Sequence, residues 1–134
     1  MSLADRPPYT VELKALLLVD DDQQLASALQ WILADENFLV DVAHDGEEAM
    51  LKLKAHEYDA VVCDLMMPRV RGDQFYLNAL WMRPGLLGRF MFITGYATHP
   101  TLNKFLNEND VKYLEKPFPV GGLIACVREL FANR

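Results

Sequence analysis

The stretch LLLVDDDQQL, residues 16–25, runs from an uninterrupted apolar segment straight into three aspartates. An apolar run without polar breaks is typical of a strand that is covered on both faces of a sheet. Beyond the aspartates, apolar residues recur at the spacing of one helix face, at Leu25, Leu29, Ile32 and Leu33. The stretch therefore predicts a buried strand that ends in concentrated negative charge and is followed by a helix.

The same order of strand and helix recurs along the rest of the chain. Short apolar runs predict strands at 15–19, 38–43, 59–64, 90–94 and 112–115. Segments with helical spacing follow each of them, at 23–38, 45–58, 71–82, 100–109 and 120–132. Alternation of this kind predicts an α/β fold with a doubly wound, five-stranded parallel sheet and helices on both faces.

The length of the chain, 134 residues, is that of a single domain. Residues 1–13 carry the segment RPP and show no clear period, so we assign them to an N-terminal tail. Residues 14–134 are assigned to the domain, because the strand and helix signals fill that range.

The composition argues against several classes of protein. With 13 Lys and Arg side chains against 19 Asp and Glu, the net charge is −6, and no basic stripe is present for direct nucleic-acid binding. Cys63 and Cys126 are too few for a disulfide framework or a zinc site, and we expect both to be buried as small apolar residues. No apolar run approaches the roughly 18 residues of a membrane-spanning helix, so we expect a cytoplasmic protein without membrane contact.

Polar side chains stand at the ends of four of the five predicted strands. Asp20 and Asp21 follow the first strand, Asp64 ends the third, Thr94 ends the fourth, and Lys116 follows the fifth. Ligands of doubly wound sheets bind beyond the carboxyl ends of the strands. The five side chains are therefore predicted to meet at one rim.

Three carboxylates at one rim need a neutralising partner. Two unit charges about 4 Å apart repel by roughly 4 kcal/mol at an effective dielectric constant near 20, so either a pKa rises or a cation binds. Mg²⁺ takes hard oxygen ligands and often binds one or two carboxylates together with phosphate oxygens. We therefore expect Mg²⁺ at this rim, or Mn²⁺ in its place. A carboxylate nucleophile can accept a phosphoryl group when a metal ion, the ammonium of Lys116 and the hydroxyl of Thr94 surround it.

Four segments resemble motifs of the receiver domain of bacterial two-component response regulators. LLLVDDDQQL resembles the acidic motif of the first strand, and DAVVCDLMMP, residues 59–68, resembles the phosphoacceptor motif. FITGYA, residues 92–97, and YLEKPF, residues 113–118, resemble the switch-hydroxyl and lysine–proline motifs. Their order and spacing agree over residues 14–134. The resemblance implies the flavodoxin-like strand order 2-1-3-4-5.

The resemblance also implies how a phosphoryl group is handled. Asp64 would accept it from a phosphohistidine on a sensor histidine kinase or a phosphotransfer protein. Thr94 and Lys116 would hold phosphoryl oxygens, and the Lys116–Pro117 peptide would be cis, a form that is cheap only before proline. Thr94 and Tyr113 would act as the switch. The face formed by the fourth helix, fifth strand and fifth helix would then change partners, and a phosphorylation-dependent dimer through that face would be one outcome.

For the metal, the resemblance implies four ligand positions. Asp21 would coordinate Mg²⁺ directly, Asp20 mostly through water, and Asp64 and the backbone carbonyl of Met66 would complete the protein ligands. Asp22 is not expected to be a ligand. It precedes the first helix and is predicted to be its N-cap, accepting a backbone N–H.

The sequence departs from the family at two places. After Pro68 the family usually has glycine, a hydrophobic residue, aspartate and glycine, whereas this chain has Arg69, Val70, Arg71 and Gly72. The two arginines are either solvated, or they influence kinase docking or offer positive charge to the phosphoryl group. Met66 and Tyr96 occupy positions that help to set the dephosphorylation rate in the family. Neither side chain is suited to orient an attacking water, so we expect slow loss of the phosphoryl group.

Two other functions remain open from the sequence. Haloacid dehalogenase-type phosphatases also use an aspartate nucleophile, but they carry a second acid two residues later, where this chain has Met66. A receiver-like module can also act by interaction without being phosphorylated. We expect no enzyme in the usual sense, but a Mg²⁺-dependent phosphoacceptor that promotes its own phosphorylation and dephosphorylation.

Overall fold

The computed structural model describes residues 13–67, 69–95 and 99–132. Apart from Leu13, the predicted N-terminal tail lies outside the described residues, and so does Tyr96. The assignment of the tail therefore stays a prediction.

The described residues form one five-stranded sheet in the order β2-β1-β3-β4-β5. All four neighbouring pairs of strands are parallel. The strands are β1 (Ala15–Val19), β2 (Leu39–Ala43), β3 (Ala60–Asp64), β4 (Phe90–Thr94) and β5 (Lys112–Glu115). The predicted doubly wound sheet and its flavodoxin-like strand order are thus confirmed.

Five α-helices cover the two faces of this sheet, as predicted. They are α1 (Gln23–Asp35), α2 (Gly46–Ala55), α3 (Gly72–Met82), α4 (Pro100–Glu108) and α5 (Val120–Ala132). One core lies under α2, α3 and α4, and the other lies under α1 and α5. Every residue of β1, β3 and β4 is buried, which explains why their sequences are uninterrupted apolar runs.

Two predicted helix ends need correction, and one further element is present. Helix α1 ends at Asp35 rather than at 38, because the chain turns at Asn37, whose φ of 69° is left-handed. Helix α2 ends at Ala55 rather than at 58, and Tyr58 is buried in the connection before β3. A short 3-10 helix, Pro84–Leu86, which the sequence pattern does not predict, joins α3 to β4. All other bounds agree within one residue.

The two cysteines differ in burial. Both are free thiols; Cys63 is buried in β3 as expected, but Cys126 on α5 is only partly buried. The expectation that both lie in the core is therefore wrong for Cys126, which sits beside the core of α1 and α5.

Helix α1 begins immediately after the acidic segment. The side chain of Asp22 accepts a hydrogen bond from the backbone N–H of Leu25 at 3.0 Å. Asp22 is therefore the N-cap of α1, as predicted. Among the described residues, no helix is both long enough and apolar enough to cross a membrane.

Candidate functional site

The carboxyl ends of β1 and β3 bring three carboxylates together. Asp20 is fully buried, Asp64 is buried, and Asp21 is exposed. One ligand oxygen from each of the three lies within 4.8 Å of the others. The sequence-based expectation that these acids meet at one rim is therefore confirmed in geometry.

Lys116 supplies positive charge to this group of acids. Its Nζ donates to Asp64 Oδ2 at 3.3 Å and lies 3.7 Å from Asp20 Oδ2. The backbone fixes its place, because the N–H of Lys116 donates to the carbonyl of Thr94 at 2.8 Å. The Lys116–Pro117 peptide is cis, as predicted.

The backbone after β3 fixes the orientation of Asp64. The N–H of Met66 donates to Asp64 Oδ1 at 3.2 Å, so each oxygen of this carboxylate has a donor. Gly72 then brings the chain back against the end of β3, donating its N–H to the carbonyl of Leu65 at 2.9 Å. A Cβ at Gly72 would lie 2.6 Å from the Asp64 carbonyl oxygen, so only glycine fits here.

Burial dominates the electrostatics of the site. Burial raises the pKa of Asp20 to about 6. The hydrogen bond from the N–H of Asp22 and the charge of Lys116 oppose this rise, whereas the charge of Asp64 adds to it. Burial likewise raises the pKa of Asp64, against the opposing effects of Lys116 and the Met66 N–H. Burial alone would lower the pKa of Lys116, but the carboxylates of Asp64 and Asp20 outweigh it and raise that pKa. The rim is therefore short of positive charge.

A cavity of about 540 Å³ opens over these groups. Its lining residues are Asp21, Asp22, Asp64, Met66, Gly95 and Lys116. Among the described residues, Gly95 is the one lining residue to which the sequence pattern assigns no role. Its position directly after the predicted end of β4 was the available signal.

Neither of the two predicted switch residues, Thr94 and Tyr113, belongs to the described lining of this cavity. Thr94 ends β4 and is fully buried, and it pairs in register with Glu115 of β5. Tyr113 is 36% exposed on the same strand, at the edge of the sheet. Thr94 therefore directly precedes Gly95 of the cavity lining, whereas Tyr113 lies on the edge strand β5.

The donor set fits a hard divalent cation. Asp20 Oδ2 is buried and accepts no hydrogen bond within the described part of the chain. A buried carboxylate oxygen without such a partner is costly unless a cation compensates its charge. Oxygen ligands from three carboxylates suit Mg²⁺ or Mn²⁺ better than zinc, which prefers nitrogen and sulfur. Asp20, Asp21 and Asp64 can therefore hold such an ion.

Comparison with known proteins identifies the family. The sequence model of the response regulator receiver domain matches residues 16–128. Response regulator ArlR of Staphylococcus aureus strain Mu50 is 32% identical over 121 residues, which is 89% of this chain and 53% of the relative. The chain thus spans about half the length of the curated relatives it matches.

Solved structures agree with this match. A CheY-like response regulator receiver domain protein from Methanospirillum hungatei superposes with a TM-score of 0.80 at 26% identity, covering 88% of this chain and 93% of the other. A response regulator receiver protein from Sinorhizobium medicae gives 0.78 at 29% identity, covering 92% and 98%. The chain therefore belongs to the response regulator receiver domain family of two-component systems.

Proposed function

We propose that the domain accepts a phosphoryl group on Asp64, from a sensor histidine kinase or a phosphotransfer protein, and thereby switches its output face. One observation carries this proposal. A buried carboxylate has its two oxygens held by the Met66 N–H and the Lys116 ammonium, beside two further carboxylates, and it opens on a cavity. This arrangement supplies a nucleophile and the charges that a phosphoryl group requires.

The transfer itself needs a nucleophile and a leaving group. An oxygen of Asp64 attacks the phosphorus of the donor phosphohistidine, and the phosphorus–nitrogen bond breaks. The electron pair of that bond stays on the imidazole nitrogen, which takes up a proton when it leaves. The product is an acyl phosphate on Asp64, and water later cleaves it to inorganic phosphate and the free carboxylate.

The neighbouring groups would orient the phosphoryl oxygens. Lys116 already contacts Asp64 Oδ2, so its ammonium can follow the charge from the carboxylate to the phosphoryl group. Thr94 would donate its hydroxyl to a phosphoryl oxygen. Mg²⁺, held by Asp20, Asp21, Asp64 and the carbonyl of Met66, would supply positive charge that neutralises the phosphoryl oxygens.

We assign the switch to the face formed by α4, β5 and α5. Strand β5 is one of the two edge strands of the sheet, and its residues are only partly buried or exposed. Movement of Thr94 toward a phosphoryl group would free space that Tyr113 can enter, and the edge face would change. A second copy of the domain is one expected partner of that face, measurable as a dimer by sedimentation after phosphorylation.

The decisive experiment is chemical modification of the full chain. The protein is incubated with Mg²⁺ and acetyl phosphate, or with beryllofluoride, beside an Asp64→Asn variant. Addition of one phosphoryl group per chain, lost in Asp64→Asn, is the expected result in intact-mass spectra. Repeated turnover of an external phosphoester would instead indicate a phosphatase. No modification at all would indicate an interaction module that works without phosphorylation.

A further inference from the structure

The loop that follows Asp64 is packed against the first turn of α2. Val70 of this loop is partly buried and packs on the core under α2, α3 and α4. Its side chain fills the space over Gly46, the first residue of α2. A Cβ at Gly46 would lie 2.9 Å from Val70 Cβ and 3.1 Å from Val70 Cγ1. A side chain at position 46 would therefore push the loop away.

A second contact joins the same two elements. Arg69 Nη1 lies 3.6 Å from Glu47 Oε2, although both side chains are largely exposed. Arg69 holds this position with a φ of 70°, a left-handed conformation that is unfavourable for a residue with a Cβ. An exposed pair of this kind contributes little energy, so the packing of Val70 on Gly46 is the stronger of the two contacts.

The other end of the loop is fixed by Gly72 against the end of β3, as described above. Met66 lies in this loop between Leu65, whose carbonyl accepts the N–H of Gly72, and Val70. Its own N–H holds Asp64 Oδ1, and it lines the cavity. A shift of the loop at Val70 therefore reaches the backbone of Met66, which is a proposed metal ligand. A displacement of a few tenths of an ångström matters for Mg²⁺, because this ion demands near-ideal octahedral geometry.

We propose that Gly46 and Val70 are positioning residues of the magnesium site: their contact sets the distance of the Met66 backbone from Asp64. The proposal rests on the function proposed above and adds to it a dependence on α2, an element that contributes no residue to the cavity. Neither residue touches the phosphoryl group. Their effect is expected on metal affinity rather than on the chemistry of transfer.

Gly46→Ala tests the contact directly. The backbone at Gly46 does not have a left-handed φ, and alanine favours helices more than glycine does, so α2 itself should not suffer. Gly121→Ala is the matched control, since Gly121 lies in the first turn of α5 and a Cβ there would meet nothing within 4 Å. Both variants replace a glycine in a first helical turn by the same residue.

The measurements are calorimetric titration with MgCl₂ and phosphorylation by acetyl phosphate at increasing Mg²⁺. Displacement of groups that orient a metal ligand typically weakens metal binding by 10-fold or more, so we expect about a tenfold higher Kd for Gly46→Ala. The Mg²⁺ concentration for half-maximal phosphorylation should rise by the same factor, while the rate at saturating Mg²⁺ changes by less than about twofold. Gly121→Ala should match the parent protein in both respects.

Val70→Ala provides a second test that adds no clash. It removes the Cγ1 contact and should weaken Mg²⁺ binding by about threefold, and it decides the question if Gly46→Ala does not fold. Mg²⁺ affinities of Gly46→Ala and Val70→Ala equal to that of Gly121→Ala would overturn the positioning role. A slower rate at saturating Mg²⁺ with unchanged affinity would do the same. Failure of the parent protein to bind Mg²⁺ or to be phosphorylated would refute the proposed function itself.

Discussion

Replacement of Asp20 by asparagine should stabilise the metal-free protein. Asp20 is fully buried, and its Oδ2 accepts no hydrogen bond within the described residues. Asparagine has nearly the same shape, and its side-chain oxygen can keep the hydrogen bond that Asp20 Oδ1 accepts from the Asp22 N–H at 2.9 Å. The substitution therefore removes a buried charge with little loss of packing.

The magnitude follows from the pKa of Asp20. Its rise from 3.8 to about 6 in the folded protein means that the charged form is destabilised by folding. At 1.36 kcal/mol per pH unit, this corresponds to a cost of about 3 kcal/mol at pH 7. The amide of asparagine faces Lys116 Nζ, which lies 3.7 Å from Asp20 Oδ2, so part of the gain is lost. We expect Asp20→Asn to raise the free energy of unfolding by about 1–3 kcal/mol.

The pH dependence has a definite sign. Because the folded pKa of Asp20 is raised, the folded protein binds this proton more tightly than the unfolded chain does. Stability that the proton provides at low pH is lost as the pH rises from 3.8 through about 6. The advantage of Asp20→Asn should therefore be only about 0.5 kcal/mol at pH 4 and reach its full value near pH 7.

Urea unfolding in the presence of a chelator measures this difference at each pH. Asp22→Asn is the matched control, since it removes the same charge from an exposed position and retains the oxygen that caps α1. Equal stabilisation by both variants would show that overall charge, not burial, is responsible. An Asp20→Asn variant that is no more stable than the parent at pH 7 would refute the electrostatic argument. Mg²⁺ at about 1,000 times Kd should reverse the order, because it stabilises the parent by about 4.1 kcal/mol, more than the expected advantage of the variant.

Three further outcomes are expected. Asp21→Ala should abolish both Mg²⁺ binding and phosphorylation, whereas Asp22→Ser, which keeps an N-cap, should leave both nearly intact in titration and mass spectra. The double substitution Met66→Asn with Tyr96→Glu should shorten the lifetime of the acyl phosphate by at least about tenfold, because the new side chains can orient an attacking water. The decay is measured after the phosphodonor is removed, and an unchanged decay rate would count against slow turnover in the parent protein. Arg69→Gly should be more stable than Arg69→Ala by about 1 kcal/mol in urea unfolding, since only glycine relieves the left-handed backbone, and equal stabilities would show that the backbone there is unstrained.

Most of the fold follows from the alternation of apolar runs and helical spacing in the sequence. Strands such as β4 are predictable to the residue, because strands buried on both faces carry no polar interruption. The ends of helices are less predictable. The spacing of apolar residues continues past Asp35, and the left-handed turn at Asn37 that ends α1 has no signal beyond the asparagine itself.

The candidate site, like the fold, was only partly predictable from the sequence. That Asp20, Asp64 and Lys116 meet could be predicted, because parallel strands place their carboxyl ends at one edge. Their different burial could not be predicted, since it depends on what packs above each side chain. Asp20 and Asp21 are neighbours in sequence, but the first is fully buried and the second is exposed. The contact of Val70 with Gly46 could not be predicted from the sequence either, because it joins two segments that are distant along the chain.

The unequal burial explains how three consecutive aspartates are tolerated. Asp22 lies outside the cluster of ligand oxygens and contributes stability as the N-cap of α1. Asp21 is exposed, so water screens its charge. Asp20 carries the large cost because it is buried, and the ammonium of Lys116, 3.7 Å from its Oδ2, offsets only part of that cost. A metal ion bound beside Asp20 would compensate its charge and so offset part of this cost, which favours cation binding. The same buried charge of Asp20 therefore lowers the stability of the metal-free protein and attracts a cation, which is why a single substitution at Asp20 should raise stability and weaken cation binding.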